Sequence, residues 1–175
     1  NGRGVAKDEA KAFEWFKSAA ELGNADAMFG LGLCFENGRG VAKDEAKAFE
    51  WYERGAKLGN AGAMINLGLF FANGRCVAKD EVKAFEWFKR GAELGNSRAM
   101  FNLGLRFENG RGVEKDETKA FEWFKRAAEL GNADAMFSLG VCLRDGRGEA
   151  KDRAKAFEWF KRAAELGSTF AILGV

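Results

Sequence analysis

NGRGVAKDEAKAFEWYERGAKLGNAGAMINLGLFFA, residues 37–72, decides the fold, because the next 36 residues repeat it with few changes: NGRCVAKDEVKAFEWFKRGAELGNSRAMFNLGLRFE. The unit opens at Asn1, Asn37, Asn73 and Asn109 and, worn, at Asp145. A fixed period of this length marks a solenoid, in which no unit buries its apolar face alone and each stacks on its neighbours.

Each unit divides into four pieces. A glycine-rich loop such as Gly38-Arg39-Gly40 comes first, where glycine permits the positive φ of a tight turn. A helix B follows, about 8–22 in the first copy, with Asp8 as its cap and Glu9 at the positive end of its dipole. Gly23 ends that helix and Asn24 caps the next at once. Helix A then runs from Ala25 to about Glu36, with Ala27, Met28, Leu31 and Phe35 at helical spacing and Gly32 as a close-contact point. Helices B recur at about 44–58, 80–94, 116–130 and 152–166, and helices A at about 61–72, 97–108 and 133–144. Short turns make antiparallel neighbours, so the chain reads as all-α, a row of helical hairpins. Its organisation is one solenoid over 1–175: a leading helix B over 1–24, full units over about 25–60, 61–96, 97–132 and 133–167, and a partial unit over 168–175. It reads as a segment of a longer array.

Composition narrows the chemistry. The chain has no histidine and no proline, a net charge of +2 and 31% charged residues. Without histidine it lacks the commonest general acid–base and metal ligand. Cys34, Cys76 and Cys142 have no histidine partner and no Cys-x-x-Cys spacing, so neither a thiolate nucleophile nor a zinc site is expected. Their odd number and scatter read as free thiols, which favours a reducing compartment. The basic excess is small and interleaved with acid, which argues against a nucleic-acid partner. No apolar run is long enough to span a bilayer. The recurring aromatics (Phe13, Trp15, Phe16 and their copies) are expected in the core, so that Trp87→Ala would cost about 3–5 kcal/mol. Cys76 and Glu149 break the Gly-x-Gly-Val loop in two copies, and those two turns are expected to be strained or differently made.

The unit resembles the Sel1-like repeat, a relative of the tetratricopeptide repeat. The residues that carry the likeness are Ala27, Leu31 and Gly32 (Ala-x-x-x-Leu-Gly), Phe35, and Gly38, Gly40 and Val41 (Gly-x-Gly-Val). They continue through Asp44, Lys47, Ala48, Trp51, Tyr52, Ala56 and Gly59. The resemblance implies a right-handed superhelix of antiparallel helix pairs, with helix A on the concave face. It also implies a non-catalytic scaffold or adaptor that binds a protein or peptide and takes part in complex assembly. No cofactor, nucleic acid or membrane insertion is expected. The cysteine pair that some secreted bacterial members carry in each repeat is missing. On that reading the partner-binding positions are Asp26, Phe29, Leu33 and Asn37, then Ile65, Leu69 and Asn73. They continue with Arg98, Phe101, Leu105 and Asn109, and end with Asp134, Phe137, Val141 and Arg144. Phe29, Ile65, Phe101 and Phe137 would form an apolar track, Asn73 and Asn109 would hold peptide backbone, and Arg98, Arg106 and Arg144 could form a basic patch. The alternative is a structural subunit or spacer in a larger assembly, bound through its ends or convex face.

Overall fold

A computed structural model of the chain describes residues 8–168; the loop read at 1–7 and the helix A start read at 169–175 lie outside them. Among the described residues there are nine α-helices and no strand. They fall into two compact units, Asn1–Asp80 and Glu81–Val175. The first holds α1 (Glu9–Glu21), α2 (Ala25–Asn37), α3 (Glu45–Lys57) and α4 (Ala61–Asn73). The second holds α5 (Glu81–Glu93), α6 (Ser97–Asn109), α7 (Glu117–Glu129), α8 (Ala133–Asp145) and α9 (Arg153–Glu165). Odd-numbered helices are the B helices and even-numbered ones the A helices. Within each unit consecutive helices pack on one another.

The turns are built by local rules. After α1, Gly23 takes φ +88 and donates its N–H to Ala20 O at 3.0 Å, while Asn24 N–H reaches Ala19 O at 3.1 Å. This is the paired closure of a Schellman turn, and glycine supplies its left-handed residue. Asn24 also begins the next helix, its Oδ1 accepting from Ala27 N at 2.8 Å. One residue ends one motif and starts the other, so no slack remains and the helices fold back antiparallel. The A-to-B loop is longer. Gly38 caps α2 at φ 68, and Asp44 N–H returns to Phe35 O at 2.9 Å. Asp44 Oδ1 then accepts from Lys47 N at 3.0 Å and caps α3.

The core is made where an aromatic ring meets a helical glycine. Tyr52, Phe88 and Phe124 are each 0% exposed. A Cβ on Gly32 would overlap the Tyr52 ring, and one on Gly104 would stand 2.6 Å from Phe124 Cε1. Phe160 lies over Gly140 in the same way. The close approach brings backbones together too: a Cβ on Gly112 would strike the Glu81 carbonyl oxygen, and one on Gly148 that of Glu117.

One expectation needs correction, and a second is met at one loop and not at the other. The tryptophans are not core residues: Trp15 is 77% exposed, and Trp51, Trp87, Trp123 and Trp159 are half-buried. Each of those four is covered by an arginine one helical turn on, with Arg54, Arg90, Arg126 and Arg162 lying 4.7, 5.0, 4.9 and 5.0 Å from their ring centroids. The adjacent aromatic, 100° round the helix, takes the core at Tyr52, Phe88 and Phe124, while Phe160 is half-buried and Phe16, also expected in the core, is 39% exposed. Of the two broken loops, the one at Cys76 is strained as expected, and the one at Glu149 keeps the common turn. Cys76 adopts φ 48, left-handed like the glycines it replaces, and its thiol donates to Glu45 O at 3.6 Å. Gly148 holds φ 76 ahead of Glu149.

Two stability outcomes follow from this packing. Gly104→Ala is expected to destabilise the chain by about 1–3 kcal/mol in urea melts, because the buried Phe124 ring has nowhere to move. That loss exceeds the gain of about 1 kcal/mol that alanine brings a helix. Phe88→Ala is expected to cost about 3–5 kcal/mol. Trp87→Ala should cost about 1–2 kcal/mol, the worth of a half-buried ring and its arginine. An equal loss at the two neighbours would contradict this assignment of core and surface.

Candidate functional site

In the second unit a groove of about 580 Å³ opens between α6 and α8. Helical spacing builds its floor: Phe101 and Leu105 on α6, and Phe137 and Val141 on α8, all half-buried. Phe101 and Phe137 are held from below by the core rings, with centroids 5.9 Å from Phe124 and 5.3 Å from Phe160. These pairs fix the floor rings while leaving an apolar face to solvent.

Polar groups close the ends. Asn109 donates its Nδ2 to Leu105 O at 2.8 Å, which holds its amide at the mouth. Arg147, from the loop after α8, reaches Glu108 at 2.8 Å with Nη1, and its Nε is buried without a partner. Lys115 pairs with Glu117 at 2.8 Å. The lysine's hydrogen bond is the main cause holding the Glu117 carboxyl below its ordinary range. The lining charges therefore cancel in pairs, and what remains is an apolar floor with hydrogen-bonding walls. Such a surface can hold an apolar side chain and its backbone. Ser138, Lys115, Glu117 and Arg147 lie outside the set expected from helix A periodicity. The loop arginine was visible as a repeated residue, but its register, 39 residues beyond its glutamate, is legible only once the stacking is known.

The other expected positions are placed variously. Leu69 is half-buried and Asn73 exposed. Leu33 borders a cleft beside Phe16 and Arg39 in the first unit. Phe29 is half-buried against Tyr52, at 5.9 Å between centroids. Ile65 is only 2% exposed and presents no surface, which corrects the apolar track at that point. Asp26 accepts from Asn60 Nδ2 at 2.7 Å, and Asp134 from Ser168 Oγ at 3.0 Å, so both tie to the cap of the following turn. Asn37 donates its amide to Leu33 O at 2.9 Å, as Asn109 does to Leu105. The basic patch is also corrected. Arg106 is 8% exposed and pairs with Glu81 at 2.5 Å, and Arg144 makes two bonds to Asp145 at 2.8 and 3.0 Å. Of the three arginines, Arg98 alone stands exposed without such a pair among the described residues.

Nothing in the thiols suggests nucleophilic chemistry. Burial pushes Cys34 and Cys76 above the ordinary thiol value and takes Cys142 to about 11, the opposite of a reactive thiolate. Among the described residues no three acidic, cysteine or histidine side chains are grouped to hold a metal ion. No helix there is long and apolar enough to cross a membrane.

The Sel1 repeat family model matches residues 1–24, 25–60, 61–96, 97–132 and 133–168. Among solved structures the chain resembles a Sel1 repeat protein from Oxalobacter formigenes at 37% identity and a TM-score of 0.92, covering 98% of this chain and 70% of that one. It resembles a protective antigen of uropathogenic Escherichia coli with an SLR fold at 35% identity and a TM-score of 0.86, over 91% of this chain and 34% of that one. The cysteine rich protein B of Helicobacter pylori matches at 28% identity and a TM-score of 0.60, over 77% of this chain and 97% of its own. No curated protein matches the sequence.

Proposed function

Because the chain belongs to the Sel1 repeat family, we propose that it is a non-catalytic interaction module that captures a peptide or protein partner on its helix A face, with the α6–α8 groove as a principal site. Proteins of this family generally mediate protein–protein interaction and are typically scaffolds without catalysis. The observation that carries the finer reading is the groove itself. Phe101, Leu105, Phe137 and Val141 face outward from rigid ring pairs, with Asn109 and Ser138 beside them to meet a peptide backbone. A rigid apolar floor loses little entropy on binding. An extended segment that sets alternate side chains into the floor would use all of it.

A second reading, a structural subunit bound through its outer face or ends, has one observation in its favour. Leu58, Leu94, Leu130 and Leu166, which follow the last turns of successive B helices, are 56–58% exposed.

The test is capture of partners by the chain and by a variant carrying Leu105→Glu and Val141→Glu, two half-buried groove positions outside the ring pairs. The variant is expected to keep its helical circular dichroism and its melting temperature within a few degrees, and to bind the partner at least about tenfold more weakly. A partner held equally by both would move the function to the outer face or ends.

A further inference from the structure

Three departures from the repeat fall together at the last described loop, on the other side of α8 from the groove. The first is Leu143. Its counterparts Phe35, Phe71 and Phe107 each meet an aromatic of the preceding B helix edge-on, at 5.5, 5.6 and 5.4 Å between centroids. The fourth such aromatic, Phe121, has only the shorter leucine across from it. The second is Glu149. Its counterparts Val41, Val77 and Val113 are half-buried. Glu149 is exposed, and its carboxylate accepts from Ala150 N at 3.0 Å. The third is Arg153, where the other B helices begin with glutamate. Lys43 and Lys115 pair with those glutamates at 3.2 and 2.8 Å. Lys151, their counterpart, has an arginine there instead and makes no ion pair among the described residues.

The first two changes remove a phenyl ring and an isopropyl group from one place, and a cleft of about 410 Å³ stands there. Phe121, Leu139, Leu143 and Trp159 line it, and its rim carries Lys125, Lys151 and Lys155 against the carboxylates of Glu149 and Asp152. Lys125 has no ion pair among the described residues either, and Lys155 is held by Asp152 at 3.1 Å. The third change leaves three lysines to two carboxylates there, a net excess of one positive charge, with the Glu149 carboxylate turned to Ala150 N. The remaining repeats show what such a space holds: the ring and branched side chain that the chain itself supplies there. Size, apolar lining and a few placed charges match those of binding pockets in general.

We propose that this cleft is a second docking site, independent of the α6–α8 groove, that takes an aromatic side chain of a partner protein segment flanked by carboxylates. The ring replaces the missing phenyl group against Phe121 and Trp159. The carboxylates meet Lys125 and Lys151, drawn by a rim that Arg153 keeps from neutralising itself.

The experiment is a titration of the isotope-labelled full chain, followed by NMR, with a capped heptapeptide whose central phenylalanine has three glutamates on each side. Saturable shifts are expected at the Trp159 indole and the Leu139 and Leu143 methyls, with a Kd of about 1 mM or below at low salt, weakening as salt screens the rim. Alanine at the centre, or lysines in place of the glutamates, should each weaken binding at least about tenfold. The double variant Leu143→Phe with Glu149→Val refills the space, and should lose the peptide while raising the melting temperature. Arg153→Glu, an exposed change that gives Lys151 its partner back, should weaken binding about threefold or more without altering the fold. No saturable shift, shifts centred on Phe101 instead, or unchanged affinity in either variant would overturn the assignment.

Discussion

An aromatic ring of a B helix laid on a glycine of the preceding A helix, within one unit, is the contact from which the packing follows. Glycine inside a helix costs about 1 kcal/mol against alanine, whereas burying the ring it admits returns about 2–3 kcal/mol. The exchange is favourable only if the ring reaches the glycine, and so it sets the distance between helices. Tyr52 on Gly32, Phe124 on Gly104 and Phe160 on Gly140 repeat that distance. Once it is set, the loop glycines must approach backbone: Gly112 meets the Glu81 carbonyl and Gly148 that of Glu117. The floor of the α6–α8 groove rests on the same rings, because Phe101 and Phe137 stack on Phe124 and Phe160.

Local features of this arrangement were legible in the sequence. The caps at Asp44 and Asn24, the turn at Gly23 and the buried positions Ala27, Met28, Leu31 and Phe35 depend on residues three or four apart, and short-range rules reach them. The choice between Trp and its neighbour did not depend on such rules. Either ring of Trp51-Tyr52 lies near the inward face of the helix, and what decides between them is the shape of the facing helix. A signal was present nonetheless: an arginine stands three residues after every half-buried tryptophan, and the first copy, with Ser18 in that place, leaves Trp15 77% exposed. An arginine repeated at that spacing is a cover for a surface ring, not an unrelated surface charge.

Long-range polar contacts were the least legible. Arg75 bridges Glu36 at 2.7 Å and Glu45 at 2.8 Å, across 39 and 30 residues. Asp26 reaches Asn60 across 34. These separations bracket the period of the repeat, so they are contacts between equivalent surfaces of successive units. They become predictable when residues are compared one period apart, and remain invisible when each helix is judged by its own amphipathic face. Arg106 shows the consequence. Its spacing puts it on helix A among other arginines, yet it lies over the Phe88 ring at 5.1 Å and against Glu81, and adds no charge to the surface.

Departures from the repeat are of two physical kinds, and a solenoid tolerates both because each unit contacts only its neighbours. Cys76 is the first kind. It enters a left-handed position, at a cost of about 1–2 kcal/mol, and keeps the loop by turning its thiol to the Glu45 carbonyl. The frame absorbs the change and the surface gains little. The second kind is the group at Leu143, Glu149 and Arg153. None of these strains the backbone, and each leaves something unfilled: a ring without its partner, a space without its valine, a lysine without its carboxylate. Losses scattered along the chain would only weaken it. Gathered around one loop, they leave an apolar hollow beside positive charge, and both are unsatisfied until something else supplies the missing groups.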